Sequence, residues 1–300
     1  MPSSPIVAVI AGPTASGKTA LALRWAASQG LEIISADSRQ LYEGFCVGTG
    51  SPNEEEMGGI RHHLVNCVPP SEAYSPRRFA QEAGNVVAAN PGRRFLVVGG
   101  TGLYLKEWMH PGSEERGETP REIREAAAAR IAQNGLEAMH AEMLEKDPEA
   151  MRKVDPNDVY RITKRLENWL HTGRSYAAPK AEEPLNPLFE GVPFHWLNRE
   201  RKALHDRIAA RAAGMFERGW AEEVRALMTR FDPMRTPAFN AIGYREIAAA
   251  LAAGKPPEAA LPTVVARTRQ YAKKQVTFFR HQFPGAVAWE PEALEKELGH

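Results

Sequence analysis

Residues 12–19 read Gly-Pro-Thr-Ala-Ser-Gly-Lys-Thr and match the pattern G-x-x-x-x-G-K-[ST] in full. Before them stands Ile6-Val7-Ala8-Val9-Ile10-Ala11, a β-branched apolar run that reads as a strand buried on both faces. After them, Ala20 to Gln29 has helix-forming composition with apolar residues at helical spacing. A strand, a glycine loop and a helix in that order make a phosphate cradle. Gly12 and Gly17 let the backbone turn N–H groups inward around phosphate oxygens, with Pro13, Thr14, Ala15 and Ser16 completing the loop, and the start of the helix adds a favourable dipole. Lys18 supplies a point charge to the terminal phosphates, and the Thr19 hydroxyl is placed to hold Mg²⁺. The loop specifies phosphate but not its fate. A nucleotide kinase, an ATPase and a transferase with a pyrophosphate leaving group would all use it.

Leu31 to Asp37 reads as a second strand, and Phe95-Leu96-Val97-Val98 as a third that ends in Gly99-Gly100-Thr101-Gly102. Strands alternating with helices predict an α/β fold with a parallel sheet. Near Pro111-Gly112 the character changes. From Pro120 to about Gly173 the chain is rich in Ala, Glu and Arg and poor in strand signals, and Gly135 and Pro148 divide it into separate helices. Thr119 is placed to cap the first of these, with Pro120 at its first position. A Pro-rich connection, Pro179 to Pro193, leads to a candidate returning strand at Phe194-His195-Trp196-Leu197. The last third is read as helical, with an apolar stripe at Leu204, Ile208 and Met215 beside arginines. The expected division is a core of residues 1–112 and 190–300 with an all-helical insertion at 113–189.

Composition excludes more than it identifies. Formal net charge is +1, so a polyanionic partner must be met by local charge. Cys46 and Cys67 form neither a metal-ligand spacing nor a disulfide framework and read as reduced thiols. No stretch approaches the ~20 apolar residues of a membrane span, and the N-terminus lacks the features of a signal peptide. A cytoplasmic protein is expected.

In open parallel sheets, ligands sit beyond the C-terminal ends of the strands. Asp37, which heads Asp37-Ser38-Arg39-Gln40, should therefore neighbour the phosphate loop, as a metal ligand, a general base or a helix cap. Thr101 lies on the same rim, where Gly99, Gly100 and Gly102 let a ligand approach the backbone. Arg207 and Arg211, four apart on a predicted helix, share a face that is either a phosphate contact or a solvated charged surface. Residues 261–283 carry Arg267, Arg269, Lys273, Lys274 and Arg280 without an acid, interleaved with Tyr271, Phe278 and Phe279. The bases fit an RNA backbone contact and the aromatics fit a core-facing stripe. His62 and His63 have too few partners for a metal site and read as structural or substrate-region residues.

Taken in order, these segments resemble the tRNA dimethylallyltransferases, also called the tRNA isopentenyltransferase family. The resemblance rests on residues 12–19, Ser35 to Gln40, His62-His63-Leu64, Gly99 to Tyr104, Pro156-Asn157-Asp158 with Arg161 and Arg165, Ile242 to Arg245, and Arg267 to Gln275. It implies a P-loop NTPase-like parallel sheet core with an all-helical insertion. The implied reaction moves a dimethylallyl group from dimethylallyl diphosphate to N6 of adenine 37 in the tRNA anticodon stem-loop, giving N6-(dimethylallyl)adenosine and pyrophosphate, with Mg²⁺ and as a monomer. Asp37, Thr101 and Lys18 are the implied catalytic residues, and Gly12 to Thr19 with Arg207 and Arg211 the diphosphate cradle. The implied tRNA contacts are Asp37, Ser38, Arg39, Gln40, Thr101, Tyr160, Arg161, Ile162, Thr163 and Lys164, then Asn240, Ala241, Ile242, Gly243, Tyr244 and Arg245, with Arg124 as a further one.

A prenyltransferase acting on free adenine nucleotides, a P-loop nucleoside kinase and a non-catalytic RNA-binding module are the alternatives. The insertion and the acid-free helix favour tRNA, since a nucleotide needs neither. The chain departs from the family pattern at Gly50-Ser51-Pro52, where Ala-Lys-Pro is usual, at Asn66, where an acid is usual, and at Phe278, where tryptophan is usual. The missing lysine and acid are expected to weaken donor binding or to alter a local ion pair. No cysteine–histidine zinc finger follows, as in the simpler bacterial members of the family.

Overall fold

Continuously apolar strands need cover on both faces, and a computed structural model, which describes residues 4–111, 119–176 and 184–299, shows how it is supplied. Strands β1 (Ile6–Ala11), β2 (Glu32–Ser35), β3 (His62–His63), β4 (Phe95–Gly99), β5 (Phe194–Leu197) and β6 (Val287–Trp289) form a sheet in the order β3-β2-β4-β1-β5-β6. Every pairing is parallel, with Val9 beside both Val97 and Phe194, and Ile34 beside Val97. The strands therefore all end on one edge, and the loops after β1, β2, β4 and β5 share a rim.

Side chains alternate between the two faces of a strand, and here they feed two cores. Val9, Ala11, Ile34, Val97 and Trp196 join one; Ala8, Ile10, Ile33, Leu96, Val98 and Leu197 join the other. Helix α1 (Lys18–Gln29) closes the second core through Leu21, Ala22, Trp25 and Ala26. The first core is closed by α2 (Pro76–Ala89) and α3 (Gly102–Met109), and by four helices introduced below from the C-terminal third.

The chain divides into two units, Met1–Pro111 with Leu185–His300, and Gly112–Pro184. In the second unit, α4 (Arg121–Asn134), α5 (Leu136–Lys146) and α6 (Val159–Thr172) enclose Ala127, Met139, Met143, Ile162 and Leu166. Gly135 and Pro148 punctuate it as expected, but α4 starts one residue late: Pro120 is its N-cap and Thr119 lies outside it. Leu185 to Phe189, expected in the insertion, belongs to the first unit. There Asn186 Nδ2 donates to Trp108 O, and Phe189 packs edge-on against Trp108. Residues 113–118 of the expected insertion and 179–183 of the Pro-rich connection lie outside the described residues.

The first unit continues with α7 (Arg201–Glu217), α8 (Trp220–Met228), α9 (Tyr244–Ala252) and α10 (Leu261–Gln282). The last third is not wholly helical, because β6 adds to the sheet edge. Its three residues are largely exposed, so they leave no apolar run to read. Among the described residues, no helix is long and apolar enough to cross a membrane.

Candidate active site at the C-terminal edge of the sheet

The phosphate loop leaves β1 and enters α1 through Gly17, which has φ 100°. Three arginines grip it. Arg199 Nε donates to Ser16 O at 2.8 Å, Arg207 Nε to Ala15 O at 2.9 Å, and Arg211 Nη1 to Thr14 Oγ1 at 2.9 Å. Arg207 and Arg211 share a face of α7, which the four-residue spacing predicts; Arg199 precedes the helix and had no signal of that kind. The loop amides are not all free. Thr14 N–H donates to Gln275 Oε1 at 3.0 Å and Ser16 N–H to Pro13 O at 3.3 Å. The N–H groups of Ala15, Gly17, Lys18 and Thr19 have no partner among the described residues and remain for an anion.

Asp37 stands two residues beyond β2, in a turn where its Oδ1 accepts Arg39 N–H at 2.9 Å. Thr101 starts α3 but does not cap it with its side chain. Its hydroxyl instead accepts Ser38 N–H at 2.9 Å and donates to Ser38 Oγ at 3.2 Å, so it fastens the turn that carries Asp37. The Tyr271 hydroxyl lies near Thr101 and Asp37. Gln275, buried on α10, donates to Gly100 O at 2.8 Å and so joins the loop after β4 to the phosphate loop. The expectation that three glycines admit a ligand is corrected. A Cβ on Gly99 would lie 2.1 Å from Ala36 O, and one on Gly102 would lie 2.4 Å from the Phe278 ring, so these two serve internal packing. Gly99 nevertheless borders the small pocket beside Lys18, Thr19 and Asp37, and Gly100 lies close to the phosphate end: a Cβ there would lie 2.6 Å from Gln275 Nε2 and 3.5 Å from Lys18 Nζ.

A cavity of about 160 Å³ joins these parts. Thr14, Ala15 and Lys18 form its phosphate end, Asp37 and Arg39 a polar side, and Met215, Trp220, Ile242 and Val264 an apolar wall. A second cavity, of about 640 Å³, meets the phosphate loop at Lys18 and Thr19 and is bordered by Arg207, Arg211 and Arg218. Burial lowers the Lys18 ammonium to about 8; Asp37 opposes this and Arg211 adds to it. Burial also pushes the Tyr271 phenol up to about 12, with Asp37 acting in the same direction. Arg211 is drawn down by burial against the pull of Asp37.

Thr19 and Asp37 border a small pocket with Lys18. The Thr19 hydroxyl suits Mg²⁺, which commonly takes one or two protein ligands and completes its shell with phosphate oxygens and water. Among the described residues there is no group of three or more His, Cys, Asp or Glu that could hold a metal by itself. His63 serves structure, its Nε2 meeting buried Glu32 Oε2 at 2.7 Å, while His62, whose Nδ1 meets Ile60 O at 2.9 Å, lies in the substrate region as a lining residue of the small pocket.

The remaining candidates separate into surface and core. Asn240, Ala241 and Ile242 line the smaller cavity with Arg39. Gly243 and Tyr244 do not face a partner. Gly243 lies against Trp220, and Tyr244 is sealed in the core with its hydroxyl donating to Glu223 Oε1 at 2.6 Å. Arg245 is spent on the carbonyls of Pro233 and Met234, and Gln40 Nε2 donates to Gly50 O. In the second unit, Ile162 is a core residue, which corrects its expected place at an RNA surface. Tyr160, Arg161 and Arg124 are exposed there; Arg161 pairs with Asp158, Lys164 with Glu167, and the Thr163 hydroxyl donates to Val159 O.

On α10, Arg267 pairs with Glu246 and Arg269 reaches His205 O at 3.4 Å, while Lys273, Lys274 and Arg280 are exposed. Phe279 is core as expected, but Tyr271 lines the cavity. Val264, Thr268, Tyr271 and Gln275 form one helical stripe on that wall, a spacing visible in the sequence but interrupted by polar residues. The departures also find places. The Ser51 hydroxyl bonds that of Thr49 beside the larger cavity, and Asn66, at φ 51°, accepts Gly44 N–H.

The family model described as IPP transferase matches residues 40–282, and that described as isopentenyl transferase matches residues 5–72. A tRNA dimethylallyltransferase of Myxococcus xanthus is 40% identical over 289 residues, covering 96% of this chain and 93% of that protein. The full-length tRNA isopentenylpyrophosphate transferase of Bacillus halodurans matches in structure with a TM-score of 0.69 and 30% identity, over 98% of this chain and 93% of the other. A eukaryotic dimethylallyltransferase acting on tRNA matches with a TM-score of 0.78 and 26% identity, over 95% and 74%.

Proposed function

Because this chain belongs to the IPP transferase family, we propose that it transfers a dimethylallyl group from dimethylallyl diphosphate to N6 of adenine 37 in the tRNA anticodon stem-loop, as a cytoplasmic monomer. One observation carries the reading: a single cavity has a phosphate loop at one end, Asp37 and Arg39 on one side, and an apolar wall between. An apolar wall beside the phosphate end fits a five-carbon allyl group carried on a diphosphate.

An exocyclic amine is a poor nucleophile, because its lone pair is delocalised into the purine ring. A carboxylate hydrogen-bonded to it orients it and takes its proton as the new bond forms. Asp37 has that role, with Oδ1 held by Arg39 N–H and Oδ2 left for the amine. The allylic C1–O bond breaks, the C1–N6 bond forms, one N6 proton passes to Asp37, and pyrophosphate leaves. Thr101 positions Asp37 through the Ser38 amide. Tyr271, on the cavity wall, keeps its proton through neutral pH. The growing charge on pyrophosphate is met by Lys18, the unpartnered loop amides, Arg211 and Arg207. Mg²⁺ held at Thr19 supplies further charge neutralisation when bound. The adenine reaches this site by leaving its stack, as bases generally do when enzymes act on them.

The test is incubation with dimethylallyl diphosphate, Mg²⁺ and either unmodified tRNA or AMP, followed by mass analysis for the added five-carbon group. Product on tRNA is expected; product on AMP alone would replace the reading with a nucleotide prenyltransferase. Asp37→Asn is expected to lower kcat by about 10²–10⁴-fold with little change in tRNA affinity. A collapse of affinity instead would remove Asp37 from the general-base role.

A further inference from the structure

Glu223 lies on α8, on no motif, and yet its carboxylate receives four hydrogen bonds. Oε2 accepts Cys46 N–H at 2.9 Å and Val47 N–H at 2.7 Å; Oε1 accepts Gly48 N–H at 3.3 Å and the Tyr244 hydroxyl at 2.6 Å. Three successive N–H groups turned toward one anion make a concave nest of the kind that elsewhere holds a ligand. Here the protein fills it with its own side chain. Burial and the Glu223 carboxylate hold the Tyr244 phenol well above its ordinary range, so its proton stays in place as the fourth donor.

The nest fixes more than itself. With the amides of residues 46–48 turned to Glu223, the next carbonyls point toward the site. Thr49 O accepts Arg211 Nη2 at 3.3 Å, and Gly50 O accepts Gln40 Nε2 at 2.9 Å. The strand of chain is pressed on Arg211 so closely that a Cβ on Gly50 would lie 2.0 Å from Nη2. Arg211 in turn bonds Thr14 in the phosphate loop. A continuous path therefore runs from Tyr244 through Glu223 and residues 46–50 to Arg211 and the phosphate loop.

We infer that Glu223 is a positioning residue for donor binding: it sets the 46–50 segment, which holds the Arg211 guanidinium on the diphosphate cradle. The inference rests on the prenyl-transfer reading above. Glutamine in its place offers one acceptor oxygen and a competing donor, so the nest cannot be satisfied. Arg211 then loses its second anchor while Asp37 and Arg39 keep theirs.

The experiment compares steady-state kinetics of wild type, Glu223→Gln, Arg211→Ala and the double variant with dimethylallyl diphosphate and tRNA. Glu223→Gln is expected to lower kcat/KM for the donor about tenfold with the tRNA KM within about twofold, and to add almost nothing in the Arg211→Ala background, since neighbours on one path are not additive. An unchanged donor kcat/KM, a parallel rise in the tRNA KM, or full additivity with Arg211→Ala overturns the inference. Tyr244→Phe removes one donor of four, is expected to lower the donor kcat/KM roughly two- to threefold, and carries the test should Glu223→Gln not fold. Absence of product from the wild type would instead refute the prenyl-transfer reading itself, which separates the two failures.

Discussion

Gln275 is the side chain whose replacement separates stability from donor binding most clearly. It is buried, accepts Thr14 N–H at 3.0 Å and donates to Gly100 O at 2.8 Å. Gln275→Leu keeps the bulk and removes both bonds. A buried polar group left unpaired costs ~1–3 kcal/mol, so two cost ~2–6. Water entering the cavity satisfies Thr14 N–H, which points to the lower part of that range. At ~2–4 °C per kcal/mol for a chain of this size, the melting temperature should fall by about 4–12 °C. Gln275→Glu behaves differently. One oxygen still accepts Thr14 N–H, and the new charge lies across Gly100 from Lys18, an attraction that offsets part of the lost bond. The same charge competes with diphosphate for Lys18. Thermal melts should therefore rank leucine as the more damaging variant, and donor KM should rank glutamate as the more damaging. The same ranking in both assays, or no change in either, would refute the bridge as the link between the two loops.

Arg211→Ala removes bonds to Thr14 and Thr49 and is expected to lower kcat/KM for the donor by ~10²–10³, as loss of a donor to developing charge does; steady-state kinetics with tRNA saturating would show it. Gly100→Ala places a methyl group against Gln275, Gly12 O and Lys18, so calorimetry should show pyrophosphate affinity lost by at least about tenfold, while circular dichroism shows the fold retained. Lys18 loses its charge as pH rises through about 8, so donor binding is full below that value and weakens above it. The donor KM should rise about tenfold between about pH 7 and pH 9, and a flat profile would contradict the buried-lysine account.

The phosphate loop and its sheet were legible because they are local. Ile6 to Ala11 shows its burial in its own composition, and Gly12 to Thr19 carries its spacing within eight residues. Asp37 and Thr101 followed from a topological rule, since parallel strands end on one rim. What was not legible depends on distant partners. Glu223 meets Cys46 across 177 positions of chain, and Arg199 meets Ser16 across 183. His62-His63 and Val287–Trp289 are strands only because a neighbouring strand pairs with them. Tyr244 and Ile162 were misplaced for a related reason. A recurring motif residue is as readily a core residue as a contact, and burial depends on packing that the motif does not contain. Tyr271 failed the other way, since an aromatic at helical spacing reads as core until the opposite wall is known to be a cavity.

The three-arginine grip on the phosphate loop has a consequence for turnover. Arg199, Arg207 and Arg211 are held to Ser16, Ala15 and Thr14 by the protein's own hydrogen bonds, which limits the reorganisation that accompanies the build-up of charge on the leaving group. The same rigidity persists once the allyl group has gone. Free pyrophosphate then sits among the same held cations, so its escape is expected to be slow relative to carbon–nitrogen bond formation. Rapid-quench kinetics should then show a burst of modified tRNA followed by a slower steady phase, with inhibition by added pyrophosphate.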